Sequence, residues 1–181
     1  MPEVAKIVAF SLVAAVVYGV IHDQITARIC VEYFTVGHPP LIRSTSPTML
    51  GLAWGVVATW WVGLPLGLLV AAAARGGSRP KFSAAQVVPY IVRLLIVVAV
   101  LAAAMGSIGY ALATRGYVGL PMYWADRLRP DARIPFLVDA WTHEASYFFG
   151  ILGGVVVAAV VYRRRRATQG DSNVRSGSQV L

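Results

Sequence analysis

The fold of this chain is decided by residues 150–166, GILGGVVVAAVVYRRRR, where an uncharged apolar run ends at four consecutive arginines. An apolar helix followed directly by basic residues is typical of a transmembrane segment held at its cytoplasmic end. The whole chain agrees, because 57% of its 181 residues are hydrophobic and 13% are charged. Soluble domains carry about 25% charged residues, and a soluble chain this short could not bury so much apolar surface. The sequence therefore predicts a membrane protein.

Four segments are long and apolar enough to cross a bilayer, whose hydrocarbon core of about 30 Å needs about 20 residues in a helix. The segments are residues 4–21, 48–74, 84–114 and 135–162. Pro65 lies inside the second segment and is expected to kink it or loosen one turn. We expect an all-α, polytopic domain over residues 1–166, capped on its outer face by the two outer loops. The polar residues 167–181 are expected to form a disordered cytoplasmic tail.

The distribution of charge predicts the orientation. Four spans place both termini on one side, and that side carries ten basic and two acidic groups, whereas the other side carries six of each. The positive-inside rule therefore predicts cytoplasmic termini in a bacterial inner membrane. The basic run is also expected to contact anionic lipid headgroups at the cytoplasmic face through Arg163, Arg164, Arg165 and Arg166. Because the net charge of +8 lies on this anchoring side, it does not indicate nucleic-acid binding.

The two outer loops have different patterns. Residues 25–36, ITARICVEYFTV, alternate and are rich in β-branched and aromatic side chains, which favours an extended segment. Residues 120–131, LPMYWADRLRPD, predict a short amphipathic helix with Tyr123 and Trp124 at the level of the headgroups.

Ionisable side chains collect at the outer ends of the first and fourth spans. The candidates for a polar cluster are His22, Asp23, Glu32, Asp139, His143, Glu144 and Tyr147. Asp139, His143 and Tyr147 are spaced four apart and so share one helix face. A four-helix bundle brings that face close to His22 and Asp23. His38 is interpreted as a turn residue before two prolines.

This cluster has three interpretations. The first is a polar network that supports binding or assembly in a protein whose biochemical activity the sequence does not identify. The second is a membrane-embedded metal-binding or redox-related enzyme, in which His22, His143 and Asp139 hold a divalent transition metal. The third is a transport accessory subunit or a small channel. The metal interpretation requires the two imidazoles to lie within about 10 Å of each other, because metal–nitrogen bonds are about 2 Å long.

The known motifs of catalysis do not decide between these interpretations. The sequence has no HExxH, CxxC or G-x-S-x-G motif. Cys30 is the single cysteine, so an internal disulfide is excluded. Whether the chain is an enzyme is therefore left open.

Glycines recur at intervals of four in the second span, at Gly51 and Gly55 and again at Gly63 and Gly67. Such spacing lets transmembrane helices approach closely, and here it predicts packing within one chain. The alternative is a seam with a second copy of the chain or with a partner in a membrane complex.

Residues 22–39, HDQITARICVEYFTVGHP, resemble an uncharacterised family of small multi-pass bacterial inner-membrane proteins. The shared elements are HDQ-x-T, EYFT and a histidine–proline pair, at His22–Gln24 with Thr26, Glu32–Thr35, and His38 with Pro39. The resemblance covers about the first 80 residues. It implies an inner-membrane location and supplies no activity.

Overall fold

A computed structural model describes the backbone of residues 1–177 and the side chains of residues 1–167. The helices are α1 Glu3–Ile29, α2 Val31–Thr35, α3 Pro47–Val57, α4 Trp60–Arg75, α5 Ala84–Thr114, α6 Met122–Ala125 and α7 Arg133–Gly177, with a 3-10 turn at Pro130–Ala132. Four helical stretches are long and apolar enough to cross a membrane, namely Glu3–Ile29, Pro47–Arg75, Ala84–Thr114 and Pro130–Ala167. The predicted all-α polytopic architecture with four spans is confirmed.

The first span is longer than predicted, and the extended segment predicted for residues 25–36 is wrong. α1 continues to Ile29, and α2 follows after a single extended residue, Cys30. The side chains of Thr26 and Ala27 are buried in the protein. The Thr26 hydroxyl donates to the His22 carbonyl at 3.2 Å. Ala27 belongs to a buried cluster with Phe34 of α2 and Leu50 of α3, and this packing outweighs the weak β preference of the branched side chains nearby.

The second span is interrupted at Ala58–Thr59, between α3 and α4. The amide of Val62 donates to the Thr59 carbonyl at 3.1 Å rather than to the Ala58 carbonyl, as a continuous helix would require. The Ala58 carbonyl instead accepts the hydroxyl of Tyr147 on α7, at 3.1 Å. Pro65 lies further along, inside α4, so the interruption of the span precedes the proline.

A row of small residues lets the second span lie directly on α1. The row is Gly51, Gly55, Thr59, Gly63 and Gly67, one residue every fourth position. A Cβ atom at Gly55 would lie 2.5 Å from the Val20 Cα atom, and one at Gly67 would lie 2.8 Å from the Ser11 Cβ atom. The predicted packing of these glycines within one chain is confirmed, because their missing side chains are replaced by α1 itself.

The cap on the outer face is formed by the end of α1, by α2 and by the second outer loop. A buried apolar cluster joins these parts, and its members are Ala27, Cys30, Tyr33, Phe34, Leu50, Leu128 and Phe136. In the second loop the helix is shorter than predicted, since α6 has four residues. Trp124 packs on Phe136 with ring centroids 5.4 Å apart, whereas Tyr123 is exposed.

The fourth span continues past the predicted end at residue 162. α7 remains helical to Gly177, which includes most of the segment expected to be a disordered tail; residues 178–181 of that segment lie outside the described residues. Arginine is a good helix former, so the basic run extends the helix beyond its apolar part.

Arg165 does not have the role predicted for it. Its side chain is fully buried and donates to four backbone carbonyls around the end of α4 and the loop that follows. The acceptors are Ala73 at 2.6 Å, Gly76 at 2.9 Å, Arg79 at 3.1 Å and Pro80 at 2.6 Å. Four of its five N–H donors are therefore engaged, and the buried group is unavailable to lipid headgroups. Arg163, Arg164 and Arg166 are exposed, and their contact with lipid stays a prediction.

The loop between α4 and α5 is also held by Glu3 of α1. The Glu3 carboxylate accepts the backbone amide of Ala84, the first residue of α5, at 2.7 Å. A carboxylate at a helix N-terminus satisfies a free amide and complements the helix dipole. The short loop between α4 and α5 is thus fastened by residues from α1 and α7.

Candidate functional site

His22 and Asp23 on α1 meet His143 on α7 beneath the cap. The imidazole centroids of His22 and His143 are 4.7 Å apart, well inside the limit of about 10 Å that a shared ion requires. His143 Nε2 lies 3.2 Å from Asp23 Oδ1. The three side chains offer ligand atoms that all lie within 4.8 Å of one another. Asp23 and His143 are buried, with 4% and 8% of their surfaces exposed.

A second hydrogen bond fixes the orientation of the His143 ring. Its Nδ1 lies 2.7 Å from the backbone carbonyl of Asp139. A carbonyl oxygen only accepts, so Nδ1 must carry a hydrogen and donate it. Nε2 is then the atom that faces the Asp23 carboxylate. A bare nitrogen lone pair and a carboxylate oxygen repel at this distance, so the arrangement calls for a proton or a metal cation between them.

His22 adds an unsatisfied nitrogen to the same place. Its Nε2 atom is buried and has no hydrogen-bond partner among the described residues. Leaving a buried polar atom without a partner costs about 1–3 kcal/mol. The Tyr18 ring lies 5.6 Å away on one side of the imidazole, with the His143 ring on the other. A bound ion or ligand would supply the missing partner.

The structure brings Asp23, rather than Asp139, to the two histidines. Asp139 was predicted as a metal ligand because it shares a helix face with His143. Its side chain is fully buried and both carboxylate oxygens lack a hydrogen-bond partner within the described part of the chain. Its role at the site is exerted through its backbone carbonyl, which orients His143.

The other predicted members of the cluster lie around the site or away from it. Glu144 is exposed. Glu32 is 3.4 Å from the Arg129 guanidinium and ties α2 to the second outer loop. Tyr147 donates to the interrupted backbone at Ala58, and its ring stacks on Trp61 with centroids 6.0 Å apart.

Aromatic side chains that sequence reasoning missed complete the surroundings. Tyr33 of α2 stacks on the His143 ring with centroids 4.4 Å apart, and the Tyr18 hydroxyl lies 2.9 Å from Ser146 Oγ. Burial raises the pKa of Tyr33 well above its usual value, so its phenol stays neutral. The spacing of Tyr18 four residues before His22 is the signal that could have placed it beside the imidazole.

His38 lies nearer the surface. Its Nδ1 donates to the Tyr33 carbonyl at 2.8 Å, and its ring contacts Trp54 with centroids 4.8 Å apart. Together with Asp23 and His143 it lines a pocket of about 420 Å³ on the outer side of the site. It belongs to the approach to the site, and it is not among the three clustered ligands.

Cys30 is expected to be unreactive in the folded protein. It is 2% exposed, and burial raises the pKa of its thiol to about 12. At pH 8 only about one thiol in ten thousand would be ionised, and the thiolate is the reactive form. Mass spectrometry after treatment with a maleimide should show unmodified folded protein and full modification in SDS. Rapid labelling of the folded protein at pH 8 would contradict this.

No family model matches the chain, and no curated protein or solved structure matches it. The resemblance to an inner-membrane family therefore stays a prediction. The functional argument rests on the geometry of the site.

Proposed function

We propose that the protein is a bacterial inner-membrane protein that binds one divalent transition metal ion at its outer face, through His22, Asp23 and His143. The observation that carries this proposal is the pairing of His143 Nε2 with Asp23 Oδ1 at 3.2 Å while Nδ1 is committed to a carbonyl.

The donor set and its spacing fit such an ion. Two imidazole nitrogens and a carboxylate oxygen suit iron, zinc, copper or nickel. Bonds of about 2.1 Å place neighbouring ligand atoms about 3 Å apart, close to the separation of His143 Nε2 and Asp23 Oδ1. The wider spacing, up to 4.8 Å, would have to shorten when an ion binds.

The surroundings of the three ligands also fit. Metal-bound histidines usually donate their second ring N–H to a carbonyl or carboxylate, as His143 does to Asp139. The unpartnered His22 Nε2 would gain a bond. A proton shared between His143 and Asp23 would satisfy that pair but would leave His22 Nε2 without a partner.

Metal content of the purified protein tests the proposal. The chain would be produced with a tag that contains no histidine and analysed by elemental mass spectrometry. We expect about one transition metal ion per chain in the wild type, and loss of most of it in His22→Ala and His143→Ala. His38→Ala is the matched control, since it removes the third histidine from the same face, and it should retain the ion.

Thermal stability provides an independent measurement. Chelation should lower the melting temperature of the wild type and of His38→Ala, because a bound ion at 100 times its Kd stabilises by about 2.7 kcal/mol. It should leave His143→Ala unchanged. A wild type with no stoichiometric metal after supplementation with iron, zinc, copper and nickel would rule the site out.

The proposed orientation is supported by the charge balance, with ten basic and two acidic groups on the side of the termini. It places the three ligands on the periplasmic side. Alkaline phosphatase is active only outside the cytoplasm, so a fusion at the C-terminal end should be inactive and an insertion at Gly119 should be active. The reverse pattern would overturn the orientation.

A further inference from the structure

A mainly apolar, partly open cavity lies between the helices, with the three clustered ligands at one end. Its volume is about 110 Å³, and α1, α4, α5 and α7 form its walls. The apolar wall includes Ala15, Val62, Leu66, Leu94, Leu95 and Val98. Its outer end is polar and is formed by Tyr18, His22, Asp23, His143, Ser146 and Tyr147. An apolar cavity of about 150 Å³ stays dry and accepts benzene. This cavity is smaller but partly open, so it has room for one end of a larger guest molecule.

The missing side chain of Gly150 contributes to this space. Gly150 lines the cavity, and a Cβ atom there would meet no other atom within 4 Å. Helix packing normally fills such positions. The cavity is therefore unfilled space between the helices that a bound molecule can occupy.

The polar end of the cavity can also be reached from the membrane. A groove of about 430 Å³ runs between α1 and α5, and Tyr18 and His22 line both the groove and the cavity. The other groove residues are apolar or small apart from Thr26, and they include Ala14, Ala99 and Ala103. A lipid-soluble molecule could pass between these helices to the same two polar side chains without crossing the cap.

The polar side chains at this end of the cavity determine which polar end group a bound molecule can have. The Tyr18 hydroxyl can make a hydrogen bond to an oxygen atom of the guest, and His22 Nε2 can donate a second one when it holds no metal ion. Asp23 lines the same end, so a carboxylate or phosphate head would be repelled. The cavity is too small for a lipid with two chains.

We propose that this cavity binds a neutral, single-chain, lipid-soluble molecule that ends in a hydroxyl or carbonyl oxygen, such as a long-chain alcohol or an alkyl quinone. The oxygen contacts Tyr18 and His22, and the hydrocarbon part lies between α4, α5 and α7. Binding does not require the metal ion proposed above, so the two proposals stand or fall separately.

Equilibrium binding to the full chain in phosphatidylcholine nanodiscs tests the proposal, with chelator present and empty nanodiscs as the background. The probes are dodecan-1-ol and a decyl-substituted benzoquinone. The matched controls are dodecanoate at pH 8, which carries charge, and dodecane, which lacks oxygen. At least one neutral oxygen-bearing probe should bind at least about tenfold more tightly than either control. The tighter of the two neutral probes then identifies a hydroxyl or a carbonyl as the preferred head.

Variants locate the bound probe. Gly150→Leu fills the cavity and should weaken binding at least about tenfold, whereas Gly119→Leu, at a loop glycine with equal free space, should leave it unchanged. Tyr18→Phe keeps the ring and removes the hydroxyl, so it should weaken binding of the neutral probes but not of dodecane. Binding of neither neutral probe above background would overturn the proposal. Equal binding by the wild type, Gly150→Leu and Tyr18→Phe would also overturn it, because the probe would then lie on the lipid-facing surface.

Discussion

Replacing Arg165 with methionine is expected to lower the free energy of unfolding by about 3 kcal/mol or more, the largest effect of any single change at the inner face. The guanidinium donates to four carbonyls of α4 and the loop that follows it. Methionine has a flexible, unbranched side chain but no donor, so these acceptors would lose their partner. Arg165→Lys should recover part of the loss, since an ammonium group cannot reproduce the planar fork of donors.

Arg166→Met is the matched control, because Arg166 belongs to the same run but is exposed. Its effect should stay within about 0.5 kcal/mol. SDS titration of the purified variants, followed by circular dichroism, measures both changes. Equal stability of Arg165→Met and Arg166→Met would show that the four hydrogen bonds do not stabilise the fold.

Replacing Gly55 with leucine is expected to separate α3 from α1 and to abolish stable folding. A Cβ atom at this position would lie 2.5 Å from the Val20 Cα and 2.6 Å from the Val20 amide nitrogen. Backbone atoms cannot rotate away as a flexible side chain can, so the helices would have to move apart. Overpacking usually costs about 1–3 kcal/mol, and more where backbone must shift.

Gly119→Leu again provides the comparison, because its Cβ would meet nothing within 4 Å. We expect Gly119→Leu to be recovered as a monodisperse protein at the wild-type yield and Gly55→Leu to be lost to aggregation on size-exclusion chromatography. The His22–His143 contact depends on the position of α1, so any soluble Gly55→Leu protein should also bind less metal. Wild-type behaviour of Gly55→Leu would contradict the close approach of α1 and α3.

The four spans could be predicted from the sequence because the physical requirement is severe. Every backbone polar group in a bilayer core must be paired within the protein, so a long apolar run has almost no alternative to a helix. This requirement does not apply at the membrane surface, and the extended segment predicted there was wrong. Residues 25–36 have a weak β pattern, and the buried packing of Thr26 and Ala27 against distant residues decides their helical state.

The candidate site was predicted in part for a similar reason. His22 and His143 both lie toward the same end of the bundle, so their approach follows from topology. Which aspartate joins them, Asp23 or Asp139, could not be predicted. A spacing of four relates residues on one helix and carries no information on how two helices are rotated against each other. Arg165 shows the same limit: the four arginines are alike in sequence, and only the position of the loop after α4 separates one of them.

The fastening of the inner loop by Glu3 and Arg165 has a consequence for biosynthesis. The loop between α4 and α5 receives one anchor from α1, which is inserted before it, and the other from α7, which is synthesised after it. During translation the carbonyls at the end of α4 therefore have no hydrogen bond from Arg165 until α7 has been synthesised. We infer that a nascent chain stalled before residue 165 carries an unfinished inner loop on the cytoplasmic side in the proposed orientation, where a membrane-bound protease could recognise it.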